Sequence, residues 1–91
     1  MRTIRFIRDV EATLSAAGLS FDDFYVITFW DDEVKLQGNY TSQKARRVQR
    51  LDPKSKISEQ GYVEAVINVV VYAKGPNDEA AEMIPVKITL T

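Results

Sequence analysis

The sequence predicts an α+β fold: a four-stranded antiparallel sheet with two helices on one face, in the order α-β-β-α-β-β. Two segments carry apolar residues at intervals of three and four, which is the period of an amphipathic helix. Four other segments are rich in β-branched and aromatic residues or alternate between apolar and polar residues, as strands do. A length of 91 residues predicts one domain that spans residues 1–91.

The first helix is predicted over residues 4–17, because the apolar residues of this segment form one stripe and the charged residues lie off it. Thr3 is a suitable N-cap residue for this helix. Gly18 followed by Leu19 predicts a left-handed C-terminal cap with an apolar contact behind it.

A β-hairpin is predicted next, from an aromatic and β-branched strand over residues 24–30 and an alternating strand over residues 33–37. A two-residue loop between the strands fixes which residues face each other. That register pairs Phe29 with Val34 and Ile27 with Leu36 on one face, and Val26 with Gln37, Thr28 with Lys35 and Trp30 with Glu33 on the other.

A second, shorter helix is predicted after Gly38-Asn39, with Thr41 or Ser42 as its N-cap. Its apolar side carries Ala45, Val48 and Leu51. Asp52 precedes Pro53, and a residue before proline is pushed out of helical geometry, so the helix is expected to end there. Residues 52–60 are polar and predict a loop.

Two longer strands complete the predicted sheet. The first covers residues 62–73, and its centre is apolar on both faces, as in a strand that is covered on both sides. The second covers residues 83–90. Pro85 predicts an edge position or a bulge for this strand, because proline cannot donate a hydrogen bond to a ladder.

The composition argues against catalysis by side chains. The chain has no cysteine and no histidine, which excludes thiolate nucleophiles, zinc–sulfur sites and the side chain that titrates near neutral pH. Its sequence contains no phosphate-binding glycine loop, dinucleotide-binding motif or nucleophile elbow. We therefore expect a protein without enzymatic activity, cofactor or bound metal.

Acidic residues cluster at positions 22–23 and 31–33, and an all-oxygen metal site would need such groups. The second cluster lacks the spaced ligands and the glycine of a calcium loop. Adjacent side chains on a strand also point to opposite faces and do not converge on one ion. These residues are therefore interpreted as turn and capping residues.

Arginines interrupt the apolar runs of the N-terminal segment, residues 1–9. Such a segment matches neither a secretion signal nor a membrane span. The sequence predicts a cytoplasmic protein that does not enter a membrane.

The sheet face opposite the helices is the strongest candidate for a binding surface, because the two-sided apolar strands would leave an exposed apolar patch there. Such patches mark interaction sites. The acidic hairpin tip would supply a second contact. The predicted partner-binding residues are Val26, Trp30, Val66, Val70, Tyr72, Asp31 and Asp32.

The favoured function is a non-enzymatic protein-binding or regulatory module, of the inhibitor or adaptor type, whose partner is an unidentified protein or a second copy of the chain. Nucleic-acid binding is the first alternative, because residues 44–56 contain six basic residues and one acid in a chain of net charge −1. A solvated helix face would explain the same basic residues. The candidate phosphate contacts are Lys44, Arg46, Arg47 and Arg50. A structural subunit of a larger assembly is the second alternative.

Overall fold

The computed structural model describes residues 4–30, 32–58, 61–72 and 81–91. Within these residues there are two α-helices, α1 (Ile4–Ala16) and α2 (Ser42–Leu51), and one turn of 3₁₀-helix at Phe21–Asp23. The described strands are β1 (Val26–Phe29), β2 (Val34–Gly38), β3 (Lys56–Ser58), β4 (Tyr62–Tyr72) and β5 (Ala81–Leu90). The predicted α+β class is confirmed.

The sheet is five-stranded and mixed, in the spatial order β1-β2-β5-β4-β3. The pairs β1–β2, β3–β4 and β4–β5 are antiparallel, whereas β2 and β5 run parallel. The prediction of a four-stranded, wholly antiparallel sheet was therefore wrong in the number of strands and in one of the pairings.

The short strand β3 is the reason for both differences. It lies within residues 52–60, whose polar composition predicted a loop, and three residues are too few for their periodicity to reveal a strand. The helix α2 returns the chain to the end of the sheet where β2 began, so β3 runs parallel to β2 at the far edge. Two further reversals bring β5 between β2 and β4, parallel to β2.

Both helices pack on the same face of the sheet, as the sequence predicted. Phe6, Val10 and Leu14 of α1 and Ala45 and Val48 of α2 join one buried cluster with alternate residues of the strands. Those strand residues are Val34, Leu36, Val63, Ala65, Ile67, Val69, Ile84, Val86, Ile88 and Leu90. The hydrophobic core therefore lies between the two helices and one side of the sheet.

The first helix ends in the predicted glycine cap. The Gly18 N–H donates to Ser15 O at 2.9 Å and the Leu19 N–H donates to Leu14 O at 2.9 Å, which together form a Schellman motif. Gly18 has a φ of +81°, a left-handed conformation that glycine adopts readily and that residues with a side chain disfavour. Leu19 is buried behind the cap.

The second helix begins and ends where the sequence predicted. Thr41 is its N-cap, and the side-chain oxygen of Thr41 accepts a hydrogen bond from the Lys44 N–H at 3.1 Å. At the other end Asp52 leaves helical geometry, with φ −136° and ψ 92°, immediately before Pro53.

The hairpin of β1 and β2 has the predicted register, with Phe29 opposite Val34 and Ile27 opposite Leu36. Strand β1 is shorter than predicted, because residues 24 and 25 follow the 3₁₀ turn and precede the ladder. Phe29 packs edge-on against Phe6 of α1, with ring centroids 5.8 Å apart. The hairpin is thereby joined to the helical layer.

Pro85 lies in a central strand, so the prediction of an edge strand was wrong for β5 as a whole. The parallel pairing with β2 starts only at Val86, however. Among the described strands, residues 81–85 therefore pair with β4 alone. The Val66 N–H points away from β5, since it donates to Asp52 Oδ2 at 3.2 Å. By strand alternation Asn68, opposite Pro85, also turns its N–H away from β5, and proline therefore breaks no ladder bond.

Candidate interaction face

The sheet surface opposite the helices carries alternate side chains of all five strands, and we call it the open face. Cross-strand pairing places these residues on one side, because partners in a ladder point the same way. They are Val26, Thr28, Lys35, Gln37, Lys56, Ser58, Tyr62, Glu64, Val66, Asn68, Val70, Met83, Pro85, Lys87 and Thr89. Trp30, which follows β1, also belongs to the open face, because its ring lies beside Lys35.

The predicted partner-binding residues on this surface are exposed, but they do not form one continuous patch. Val26 and Trp30, at the β1 side, are 37% and 45% exposed, and Val66 and Val70 of β4 are 46% and 43% exposed. Two strands separate these apolar groups. Their intervening side chains are Lys35 and Gln37 of β2 and Lys87 and Thr89 of β5.

The other predicted contacts are placed only in part. Asp32 is exposed at the hairpin tip, and Asp31 lies outside the described residues. Tyr72 is the last residue of β4, and its side chain lies outside the described part of the structure. Met83, which the sequence reasoning missed, is 62% exposed opposite Val70 and adds to the apolar group on β4 and β5.

Trp30 is held at the end of the hairpin by its backbone, because its N–H donates to Glu33 O at 2.8 Å. Lys35 Nζ lies 5.2 Å from the centroid of the indole ring, close enough for a cation–π interaction. At an exposed site such a contact contributes about 0.5–1 kcal/mol, enough to bias the orientation of the ring. The indole and the ammonium group therefore form one composite surface.

Lys87 and Glu33 form an ion pair beside this surface, with Nζ and Oε1 2.8 Å apart. Direct contact with the Lys87 ammonium lowers the pKa of Glu33 below its ordinary value of 4.5; the nearby Lys35 adds to this effect, and partial desolvation opposes it. The same contact raises the pKa of Lys87. The charge of Lys87 is thus compensated by Glu33. Lys35 faces the aromatic ring and has no carboxylate at ion-pair distance among the described residues.

Tyr62 and Glu64 form a second polar pair on the open face. The Tyr62 hydroxyl donates to Glu64 Oε2 at 3.2 Å. Desolvation of the phenol, and then the negative charge of Glu64, raises the pKa of Tyr62 above its ordinary value. The hydroxyl therefore stays protonated and remains a hydrogen-bond donor at physiological pH.

A shallow depression of about 230 Å³ lies at the centre of the open face. Its lining residues are Lys35, Leu36, Gln37, Glu64, Ala65, Val66, Lys87 and Thr89. Pockets that enclose small organic ligands span roughly 300–1,000 Å³ and are mostly apolar. This depression is smaller, and five of its eight lining residues are polar, so its size and polarity favour contact with side chains of a macromolecule.

The four basic candidates of α2 differ in their surroundings. Lys44 Nζ donates to the carbonyl oxygen of Asp23 at 2.9 Å, and the Arg47 side chain packs over Gly18. Arg46 and Arg50 are exposed one helical turn apart. Two of the four candidate phosphate contacts therefore have structural contacts within the chain.

Among the described residues, no group of three or more acidic side chains is arranged to hold a metal ion. Neither of the described helices is long and apolar enough to traverse a bilayer. Comparison of the chain with protein-family models, with curated proteins and with solved structures gives no significant match.

Proposed function

We propose that this chain is a non-enzymatic protein-binding module whose partner docks on the open face around Trp30 and Lys35. The observation that carries the proposal is the difference between the two faces of the sheet. One face is buried under two helices, whereas the other exposes Trp30, Val66 and Val70 at more than 40% each. Two apolar groups on the same face, Trp30 at one side and Val66 with Val70 at the other, favour an interaction surface.

The side chains of the open face define the chemistry of the partner. Trp30 and Val66 offer apolar contacts on either side of the polar side chains of β2 and β5. Exposed aromatic residues such as Trp30 often contribute strongly to the binding energy of an interface. Lys35 offers a positive charge that has no carboxylate at ion-pair distance among the described residues. We therefore expect a partner that presents an apolar side chain next to a carboxylate, in an inhibitor-type or adaptor-type complex in the cytoplasm.

The proposal is tested by affinity capture from the native host with three variants of the purified chain. Trp30→Ala and Lys35→Ala should lose a partner that the wild-type chain retains. Tyr25→Ala is the matched control, because Tyr25 is another aromatic residue, 60% exposed, that precedes β1 and is not among the residues of the open face. It should keep the partner.

The captured protein is then purified and titrated against each variant by calorimetry. Loss of an interface aromatic is expected to weaken binding by about 2 kcal/mol or more, roughly thirtyfold. Circular dichroism must show that Trp30→Ala remains folded, as expected for a side chain that is 45% exposed. A partner that binds Trp30→Ala as tightly as the wild type would overturn the proposal.

A second candidate function is nucleic-acid binding through Arg46 and Arg50, because both are exposed on the same side of α2. Titration with labelled single- and double-stranded oligonucleotides at two salt concentrations separates it from protein binding, since phosphate contacts are weakened by salt. Absence of binding at low salt would eliminate this candidate.

A further inference from the structure

The outer edge of β4 is the least protected backbone among the described strands. Strand β3 pairs only with residues 62–64 of β4, so the remaining residues of that strand have no strand on their outer side within the described part of the chain. The strands at the sheet edges, β1 and β3, have only four and three residues. Short edges of that kind resist further pairing, whereas a long bare edge is a template for another strand.

The direction of the free backbone groups follows from one hydrogen bond. The Val66 N–H points outward, because it donates to Asp52 Oδ2 at 3.2 Å. In a strand every second residue points its N–H and C=O to the same side, so Asn68, Val70 and Tyr72 also point outward. Asp52 occupies the first of these positions, and the free edge therefore runs from Asn68 to Tyr72.

This edge lacks the features by which soluble proteins prevent strand pairing. Residues 65–72 contain no charged residue and no proline. Val70 is exposed, and so is Met83, its cross-strand neighbour on β5. Charges, prolines and bulges usually protect such an edge from pairing with another chain. Their absence from residues 65–72 favours a function in which another strand covers this edge.

We propose that β4 of a second copy pairs antiparallel with this edge, about a two-fold axis at Val70. Residue 70 then faces residue 70 of the other copy, and Asn68 faces Tyr72 of that copy. Each of the three facing pairs exchanges two backbone hydrogen bonds, about six in all. This interface lies on the strand edge and goes beyond the proposed function, which uses the open face.

Self-pairing fits the edge for two reasons. An identical strand brings no charge into the ladder, so the two copies do not repel each other at the interface, and the antiparallel register matches the uncharged residues to themselves. The pairing also aligns Met83 and Val70 of one copy with the same residues of the other, which gives a continuous apolar row of four side chains across both molecules. A two-fold contact of this kind closes at a dimer.

Sedimentation velocity across a range of micromolar concentrations tests the proposal. The wild-type mass should rise with concentration from 10.3 kDa to twice that value and no further. Val70→Lys should remain a monomer, because it places two like charges face to face at the axis. Val26→Lys is the matched control: it adds the same charge to the same face, but on β1 at the other side of the sheet, and it should still dimerise.

A second variant guards against misfolding of the first. Asn68→Pro removes an outward N–H without removing a bond to β5, so it should block dimerisation while circular dichroism shows an unchanged fold. Trp30→Ala should dimerise like the wild type, which separates this interface from the proposed partner site. A wild-type chain that stays monomeric, growth beyond a dimer, or equal loss of dimer in Val26→Lys and Val70→Lys would overturn the proposal.

Discussion

Gly38, at the end of β2, is the described glycine where an added methyl group would meet the closest contact. A Cβ atom at residue 38 would lie 2.5 Å from the carbonyl oxygen of Asp23, and 3.2 and 3.3 Å from the side chains of Phe24 and Leu90. The Asp23 oxygen belongs to the 3₁₀ turn and also accepts a hydrogen bond from Lys44 at 2.9 Å. The added Cβ would therefore clash with a backbone atom, which cannot move aside by a side-chain rotation.

The magnitude of the effect of Gly38→Ala follows from two opposing terms. The backbone atoms must separate by about 0.5 Å to reach the closest contact that Cβ atoms tolerate, and crowding of this kind costs about 1–3 kcal/mol. Alanine also restricts the unfolded chain more than glycine does, which stabilises the folded state by about 0.4–1 kcal/mol. We expect a net loss of about 1–2 kcal/mol, which lowers the melting temperature by roughly 4–16 °C in a domain of this size.

Thermal and urea denaturation of Gly38→Ala, followed by circular dichroism, measures this loss. Gln37→Ala is the control, because Gln37 is the exposed neighbour on the same strand and its truncation should change stability by less than about 0.5 kcal/mol. Equal stability of Gly38→Ala and the wild type would refute the close approach of the 3₁₀ turn to β2.

Two other predictions concern the ion pair and the N-cap. Because the pKa of Glu33 is lower in the folded chain than its ordinary value of 4.5, its pairing with Lys87 adds stability above that pH, and the contribution is lost as the pH falls through the depressed pKa. Urea denaturation near neutral pH and at about pH 3 should therefore show a larger acid-induced loss for the wild type than for Lys87→Met, and parallel losses would contradict the pairing. Thr41→Ala should lower the free energy of unfolding by about 1 kcal/mol, because it removes the hydrogen bond to the Lys44 N–H, whereas Ser42→Ala should not. A larger loss for Ser42→Ala than for Thr41→Ala would assign the N-cap to Ser42 instead.

Local patterns were sufficient to predict most of the elements of the fold. The left-handed cap at Gly18, the end of α2 before Pro53 and the pairing of Phe29 with Val34 all depend on neighbours in sequence, and the structure has each of them. Ile84, Val86, Ile88 and Leu90 alternate along the sequence, which predicts that they share one face of β5, and all four are buried.

The arrangement of the strands could not be predicted in the same way. A three-residue strand has no measurable period, and without β3 the direction of every later strand is assigned relative to the wrong neighbour. The order β1-β2-β5-β4-β3 also depends on contacts between distant residues, such as Val34 with Val86. For the same reason the sequence placed Val26 and Val66 on one surface but did not show that Lys35 and Lys87 lie between them.

The central position of β5 has a consequence for synthesis of the chain on the ribosome. Strand β5 is the last of the described strands along the chain, yet it joins the β1–β2 hairpin to β4 and β3. Until residues 81–90 leave the exit tunnel, no strand connects the β1–β2 pair with the β3–β4 pair. We therefore expect folding to occur after translation of β5, with the apolar strand β4 open to chaperones until then.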